Sequence, residues 1–317
     1  MVDEFPVIVI ADLGREKSEP MGTKQKFWVT HDSRRWLFKF NRPEHGEDWS
    51  EKIAAEIARL LMLECAVVEL AQCEGAIGVI AENFVDAKAG WLLVHGNELL
   101  NDYYGHDYPM ERSYNVRQHC IPVVTEVLNK YTISAASPGS GPLQNLWHQF
   151  AGYLMFDALI GNSDRHHENW GIITPPVFPA STTPLTDVPP RVIPMLKLAP
   201  SFDHASSLGR ELNDEARRDM LAGNSNRNVA SYAARCRSKL YLDNNALKPL
   251  TPWEAFAEAT AAAPPVRAFW LSRLAAVGRE QFAAVIGRVP AARMSSTASR
   301  FALELLVYNR DRLLELD

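Results

Sequence analysis

Apolar residues fall in short runs over the first third of the chain. PVIVIADL (6–13), KFWVTHD (26–32) and RRWLFKFN (34–41) are rich in β-branched and aromatic residues and read as strands, with HDS as a hairpin turn between the last two. At 47–64, EDWSEKIAAEIARLLMLE, the period changes. Trp49, Ile53, Ile57, Leu60 and Leu61 share one stripe of a predicted helix, and Glu51 and Glu56 lie elsewhere on it. Strand character returns over 67–85, around a glycine.

From about residue 90 helical spacing dominates. LQNLWHQFAGYLMFDALI (143–160) is a long apolar helix whose Leu146, Phe150, Tyr153, Leu154 and Met155 belong to a core. A short strand, WGIIT, follows it, then a proline-rich stretch at 174–190 that suits neither helix nor sheet and reads as an exposed insertion. MLKLAPSFDHA (195–205) reads as a strand. LNDEARRDMLAG, RNVASYAARCRSKLYL and WEAFAEATAA read as helices, PVRAFWLSRLAAVGREQFAAVI as two, and 295–316 as a capped closing helix. Trp147, Trp253 and Trp270 are expected as core anchors. The pattern predicts an α+β chain with a small N-lobe at 1–90, built from an antiparallel sheet and one helix, and a larger, mainly helical C-lobe at 91–317.

Composition narrows the function. With 33 basic and 38 acidic residues the formal net charge is −5, so no global basic field points to direct nucleic-acid binding. The 4 cysteines show no CxxC spacing, which favours reduced thiols. No apolar window is long enough to cross a bilayer, and the start of the chain lacks a signal-peptide pattern, so a cytoplasmic, membrane-free protein is expected.

The candidate chemistry lies in GNSDRHHENWG (161–171). His166 and His167 are adjacent and point apart on regular structure. His166 and Glu168 can point together, but a third ligand is not evident, so a histidine metal site ranks below the alternative. Phosphoryl transfer needs a carboxylate near the attacking hydroxyl and hard oxygen ligands for Mg²⁺. Asp164 and Asn169 sit on one loop, and Asp203 ends the apolar strand, with 198–204 as the metal-binding strand end. Lys39, on a predicted strand, is the candidate cation for nucleotide phosphates, with Glu51 or Glu56 to orient it. Gly22, with Thr23 and Lys24, offers a turn whose backbone N–H groups face phosphate. Each signal is weak alone. Their order along the chain is that of a protein-kinase-like sequence.

LIGNSDRHHEN resembles the catalytic loop of HipA-like serine/threonine kinases, whose signature is DRHxxN, and is similar to the corresponding loop of phosphatidylinositol kinases. The resemblance implies a two-lobed kinase-like fold with ATP and Mg²⁺ as cofactors. It implies Asp164 as the catalytic carboxylate, His166 as the motif histidine and Arg165 as the buttress of the loop. Asn169 and Asp203 would be Mg²⁺ ligands, and Lys39 the ATP-phosphate lysine with Glu51 as its partner. GTKQK (22–26) corresponds to the phosphate loop, and Glu82, Asn83 and Phe84 to the adenine-binding linker. Ser18 and Thr23 lie where the family regulates itself by phosphorylation. Two departures stand out: the long interval from Asp164 to Asp203, filled by the proline-rich insertion, and a start so near the catalytic parts that little room is left for the family's N-terminal subdomain. The latter resembles the short type of HipA-like toxin.

The resemblance further implies the toxin of a toxin–antitoxin pair, partnered by antitoxin proteins and acting on a translation component such as an aminoacyl-tRNA synthetase. The rival readings are a phosphatidylinositol-type lipid kinase, a non-catalytic nucleotide-binding regulator and a metallohydrolase.

Overall fold

The computed structural model describes residues 3–10, 15–18, 26–105, 107–131, 142–176, 196–223 and 226–316, with only the backbone described at 15–18. Gly22, Thr23, Lys24 and positions 177–190 of the proline-rich stretch therefore lie outside the described residues. In chain order the elements are β1 (Val7–Ile10), β2 (Arg15–Ser18), β3 (Lys26–His31), β4 (Arg34–Phe40), α1 (Glu47–Leu60), β5 (Val68–Cys73) and β6 (Ala76–Glu82). They continue with β7 (Leu92–His95), α2 (Gly96–Tyr103), α3 (Ile121–Asn129), α4 (Leu146–Ile160), β8 (Gly171–Thr174) and β9 (Lys197–Leu198). Six helices follow: α5 (Asp214–Ala222), α6 (Val229–Ala233), α7 (Pro252–Thr260), α8 (Pro264–Ala275), α9 (Arg279–Ile286) and α10 (Ser296–Leu314).

The chain forms two compact units: residues 1–84 with 203–235 and 276–311, and residues 85–202 with 236–275 and 312–317. This division differs from a single cut near residue 90, because two later segments rejoin the first unit.

In the first unit a six-stranded sheet runs β1-β5-β6-β4-β3-β2. It is antiparallel except for β1, which pairs in parallel with β5. The β3–β4 turn places Asp32 and Ser33 at φ 46° and 61°, and the β5–β6 turn places Glu74 and Gly75 at 51° and 81°. Positive φ at both central residues matches the right-handed twist of the flanking strands, which is why two residues suffice for each hairpin. Phe38 packs between Phe27 and Phe40, with ring centroids 5.1 and 4.8 Å away, at the centre of a cluster with Val29, Trp36 and Ile80.

Helix α1 buries Trp49, Ile53, Ile57 and Leu61 as its stripe predicts, but Leu60 is exposed. It also buries Glu47, Asp48, Glu51 and Lys52. Buried charge is tolerated only when paired, and the partners are present: Arg210 for Glu47 at 2.7 Å, Arg293 for Asp48 at 2.9 Å, and Glu56 and Glu69 for Lys52 at 2.6 and 2.8 Å. A second cluster joins Met220 of α5 and Ala233 of α6 to Phe301 and Leu305 of α10.

The second unit is organised around α4, whose predicted core residues are all buried. Asn145 caps its start by accepting a hydrogen bond from the His148 N–H. Gly152 lets α8 approach: a Cβ there would lie 2.4 Å from the Trp270 ring, whose Nε1 donates to the His148 carbonyl at 2.9 Å. Trp147 and Trp270 are buried, and Trp253 is half-buried. Beside these helices β7, β8 and β9 form a three-stranded antiparallel sheet.

Two expectations are corrected. The strand over 195–205 is regular only at Lys197–Leu198; beyond it Asp203 adopts φ 59° and Leu208 φ 56°, which break an extended run. The helix over 227–242 is confined to Val229–Ala233. The chain after it instead bonds laterally, with Tyr241 N–H donating to the His119 carbonyl and Ser238 N–H to the Leu250 carbonyl. No helix among the described residues is long and apolar enough to cross a membrane.

Candidate active site

Lys39 stands on β4, in register with Val79 of β6. Its Nζ lies 2.8 Å from Glu51 Oε1 and 3.3 Å from Asp203 Oδ1. Burial alone would lower the lysine pKa; the Asp203 and Glu51 carboxylates outweigh it and hold the ammonium above its ordinary range. The group is a cation fixed between two acids that are 12 and 164 positions away. Of the two glutamates expected to serve Lys39, Glu51 meets it, while Glu56 is taken by Lys52 and Arg59. Asp203 sits in the left-handed region, which aspartate enters more readily than most residues and which marks locally strained backbone. Of the expected adenine linker, the Glu82 and Asn83 N–H groups donate to the Val67 and Arg35 carbonyls, both at 2.9 Å. The Glu82 side chain pairs with exposed Arg34, and Phe84 ends the first segment of the first unit.

In the second unit, α4 ends at Gly161, whose φ of 64° is the left-handed cap that turns the chain into the DRHHEN loop. The next residues are fixed from beneath. Arg165, fully buried, donates from Nε and Nη2 to the two oxygens of Asp157, both at 2.7 Å. It also donates to the Asn169 carbonyl at 2.6 Å and to Ser201 Oγ at 3.0 Å. Asn162 donates to Asp157 at 2.8 Å and accepts from the Asp164 N–H at 3.1 Å. Asn169 Nδ2 donates to the Asp164 carbonyl at 2.7 Å, closing the loop on itself. The backbone between the half-buried Asp164 and Asn169 is thus held at both ends, a preorganised arrangement that costs little to maintain during a reaction.

A layer of rings backs the loop. Tyr108 Oη lies 2.6 Å from His167 Nδ1, and Trp170 Nε1 donates to His119 Nε2 at 3.1 Å. His119 must therefore carry its proton on Nδ1, which donates to the Lys239 carbonyl at 3.1 Å. Burial, reinforced by the neighbouring His167, lowers the His119 pKa to about 3, and burial with His166 lowers that of His167 to about 4. His95 Nδ1 donates to the Glu168 carbonyl at 2.9 Å, and the first N–H groups of α2, Gly96 and Asn97, bond the Trp170 and His167 carbonyls. His166 lies at 3.6 Å from the Glu168 carboxylate.

Asp157, Asn162, Ser201 and His119 are the participants that sequence reading passed over. Only Asp157 carried a signal: a lone acid within an otherwise apolar helix must have a buried partner.

This is the loop of a known family. The HipA-like C-terminal domain family matches residues 18–258, and the chain belongs to it. Among solved structures, the Helicobacter pylori proinflammatory kinase CtkA is similar over 98% of this chain and 96% of its own, with a TM-score of 0.69 at 18% identity, so the fold is kinase-like. HipA of the Shewanella oneidensis MR-1 toxin–antitoxin system, solved with HipB and operator DNA, is matched over 96% of this chain and 64% of its own, at 13% identity and a TM-score of 0.48. No curated protein matches significantly.

Proposed function

We propose that the chain is an ATP- and Mg²⁺-dependent serine/threonine protein kinase. The observation that carries this reading is the Lys39 ammonium held between Glu51 and Asp203, within a chain whose family motif also supplies Asp164 and Asn169. In phosphoryl transfer the protein supplies position and charge rather than covalent chemistry. Lys39 steadies the nucleotide phosphates, and Glu51 keeps it in place. Asp164 orients the attacking hydroxyl and takes its proton. Arg165 acts through the loop backbone, as a positioning residue, and His166 belongs to the same loop.

The donor set suits magnesium: the Asn169 amide oxygen and the Asp203 carboxylate are the hard oxygens that ion prefers, and Asn169 turns its Nδ2 toward the Asp164 carbonyl. When bound, Mg²⁺ neutralises phosphate charge. Gly22, Thr23 and Lys24 are assigned to phosphate contacts on the sequence motif alone, as are Glu82, Asn83 and Phe84 to adenine.

The decisive test supplies labelled ATP and a cell lysate to wild type and Asp164→Asn. Transfer to protein by wild type and its loss in the variant is expected; undiminished transfer by the variant overturns the assignment. Family membership supports the finer reading of a toxin, restrained by antitoxin proteins and acting on a translation component such as an aminoacyl-tRNA synthetase. Growth arrest on expression, abolished by Asp203→Ala, is the expected result, and harmless expression of an active enzyme refutes it.

A further inference from the structure

The same loop carries a second set of donors, one of them the motif histidine His166. His166 Nδ1 accepts the Glu168 N–H at 3.3 Å, a long contact that a metal ion on that nitrogen would replace. The same nitrogen lies 3.6 Å from Glu168 Oε2. Ligands at about 2.0–2.2 Å on a tetrahedral ion are separated by roughly 3.3–3.5 Å, so the pair already stands near the spacing such an ion imposes. His167 supplies a third donor: one ligand atom from each of His166, His167 and Glu168 lies within 4.8 Å of the others.

His167 also carries the independent sign. It is 1% exposed, its Nδ1 is engaged by Tyr108, and its Nε2 has no hydrogen-bond partner among the described residues. A buried polar atom left unsatisfied is costly and calls for an explanation. Both histidines, but not Glu168, line a cavity of about 50 Å³ together with His119, Tyr114 and Lys239, room enough for a small ion or a water. The surroundings resemble those of ligating side chains elsewhere: Tyr108 holds one ring nitrogen of His167 and leaves the other, and the Ser113 hydroxyl donates to Glu168 Oε2 at 3.2 Å.

We propose that His166, His167 and Glu168 form a binding site for a divalent transition-metal ion of the zinc type. Two imidazoles and one carboxylate are a borderline donor set that suits zinc and cobalt rather than the hard ion of phosphate chemistry. The three ligands fall between Asp164 and Asn169, so occupancy ties the spacing of those two residues to the concentration of free zinc. The site itself does not depend on the kinase reading.

The test uses the full chain without nucleotide. Purified, chelator-treated protein is titrated with Co²⁺ and then with Zn²⁺, following the visible absorption of four-coordinate cobalt and zinc retention on dialysis. Wild type is expected to show the tetrahedral cobalt bands and to lose them when zinc is added. Glu168→Gln is expected to weaken binding at least ~10-fold and Tyr108→Phe by about 10–100-fold, the range for partners that orient a ligand. His167→Asn is read alongside, but the half-buried Glu168 decides the matter if that variant fails to fold. Absence of the bands in folded wild type, or identical cobalt affinity in Glu168→Gln, overturns the proposal. Protein that phosphorylates substrates yet binds no cobalt refutes the metal site and leaves the kinase reading standing.

Discussion

Two ionic groups of this molecule are built from similar parts and behave oppositely. Asp157 and Arg165 are both fully buried, and the guanidinium donates to the carboxylate pair, a carbonyl and a hydroxyl. Lys39 meets Glu51, which is buried, but also Asp203, whose side chain is 38% exposed and whose contact is the longer one. The first group is saturated and dry. The second keeps one acid at the solvent boundary, where its partner can be exchanged. A closed pair serves as scaffold, and an open one suits the proposed working surface.

The contrast can be broken most forcefully at Arg165. Arg165→Met strands Asp157 without water or a counter-charge, and loss of about 3–5 kcal/mol in urea unfolding is expected; adding Asp157→Leu should return much of it, because an apolar pair of similar volume tolerates burial. At the open group the expectation reverses. Asp203→Asn should leave the melting temperature nearly unchanged while phosphate transfer from labelled ATP falls on the order of 10²–10³-fold, the usual cost of removing one fixed electrostatic contact.

A third test asks how dry the ring layer behind the loop is. Burial keeps His119 neutral, with a folded pKa of about 3 against an ordinary 6.5. The unfolded chain takes up this proton first. The stability it contributes is therefore complete above about pH 6.5 and drains as pH falls toward 3, by up to about 1.4 kcal/mol per pH unit. Urea midpoints measured from pH 7 to 4 should show at least this slope, and His119→Gln should reduce it to the part that His167 contributes. The smallest effect belongs to the surface pair of Arg34 and Glu82, 3.0 Å apart with the arginine side chain 65% exposed. Arg34→Ala should change stability by less than about 1 kcal/mol, with sodium chloride erasing most of the difference.

Local pattern was enough to read β1, β3 to β6 and β8, the HDS hairpin turn, the apolar helix α4 and the loop it delivers, because each is written in neighbouring residues. The polar face of α1 was not legible as a buried face: Glu47 and Asp48 look like surface acids until Arg210 and Arg293 come back from far along the chain. Asp203 could be nominated from its motif position, but not its left-handed backbone or its contact with Lys39, which is a tertiary fact. The adjacent histidines were set aside as metal ligands because regular structure would turn them apart. The loop has no such period, and it brings their ring centroids to 6.1 Å.

The late return of segments 203–235 and 276–311 to the first unit has a practical outcome for anyone dissecting the protein. A fragment ending near residue 90 would retain every strand of the large sheet but forfeit Arg210 and Arg293, stranding two carboxylates whose neutralising arginines were left on the discarded piece. Such a fragment should be insoluble alone. The useful cuts are those that keep residues 1–84, 203–235 and 276–311 on one polypeptide.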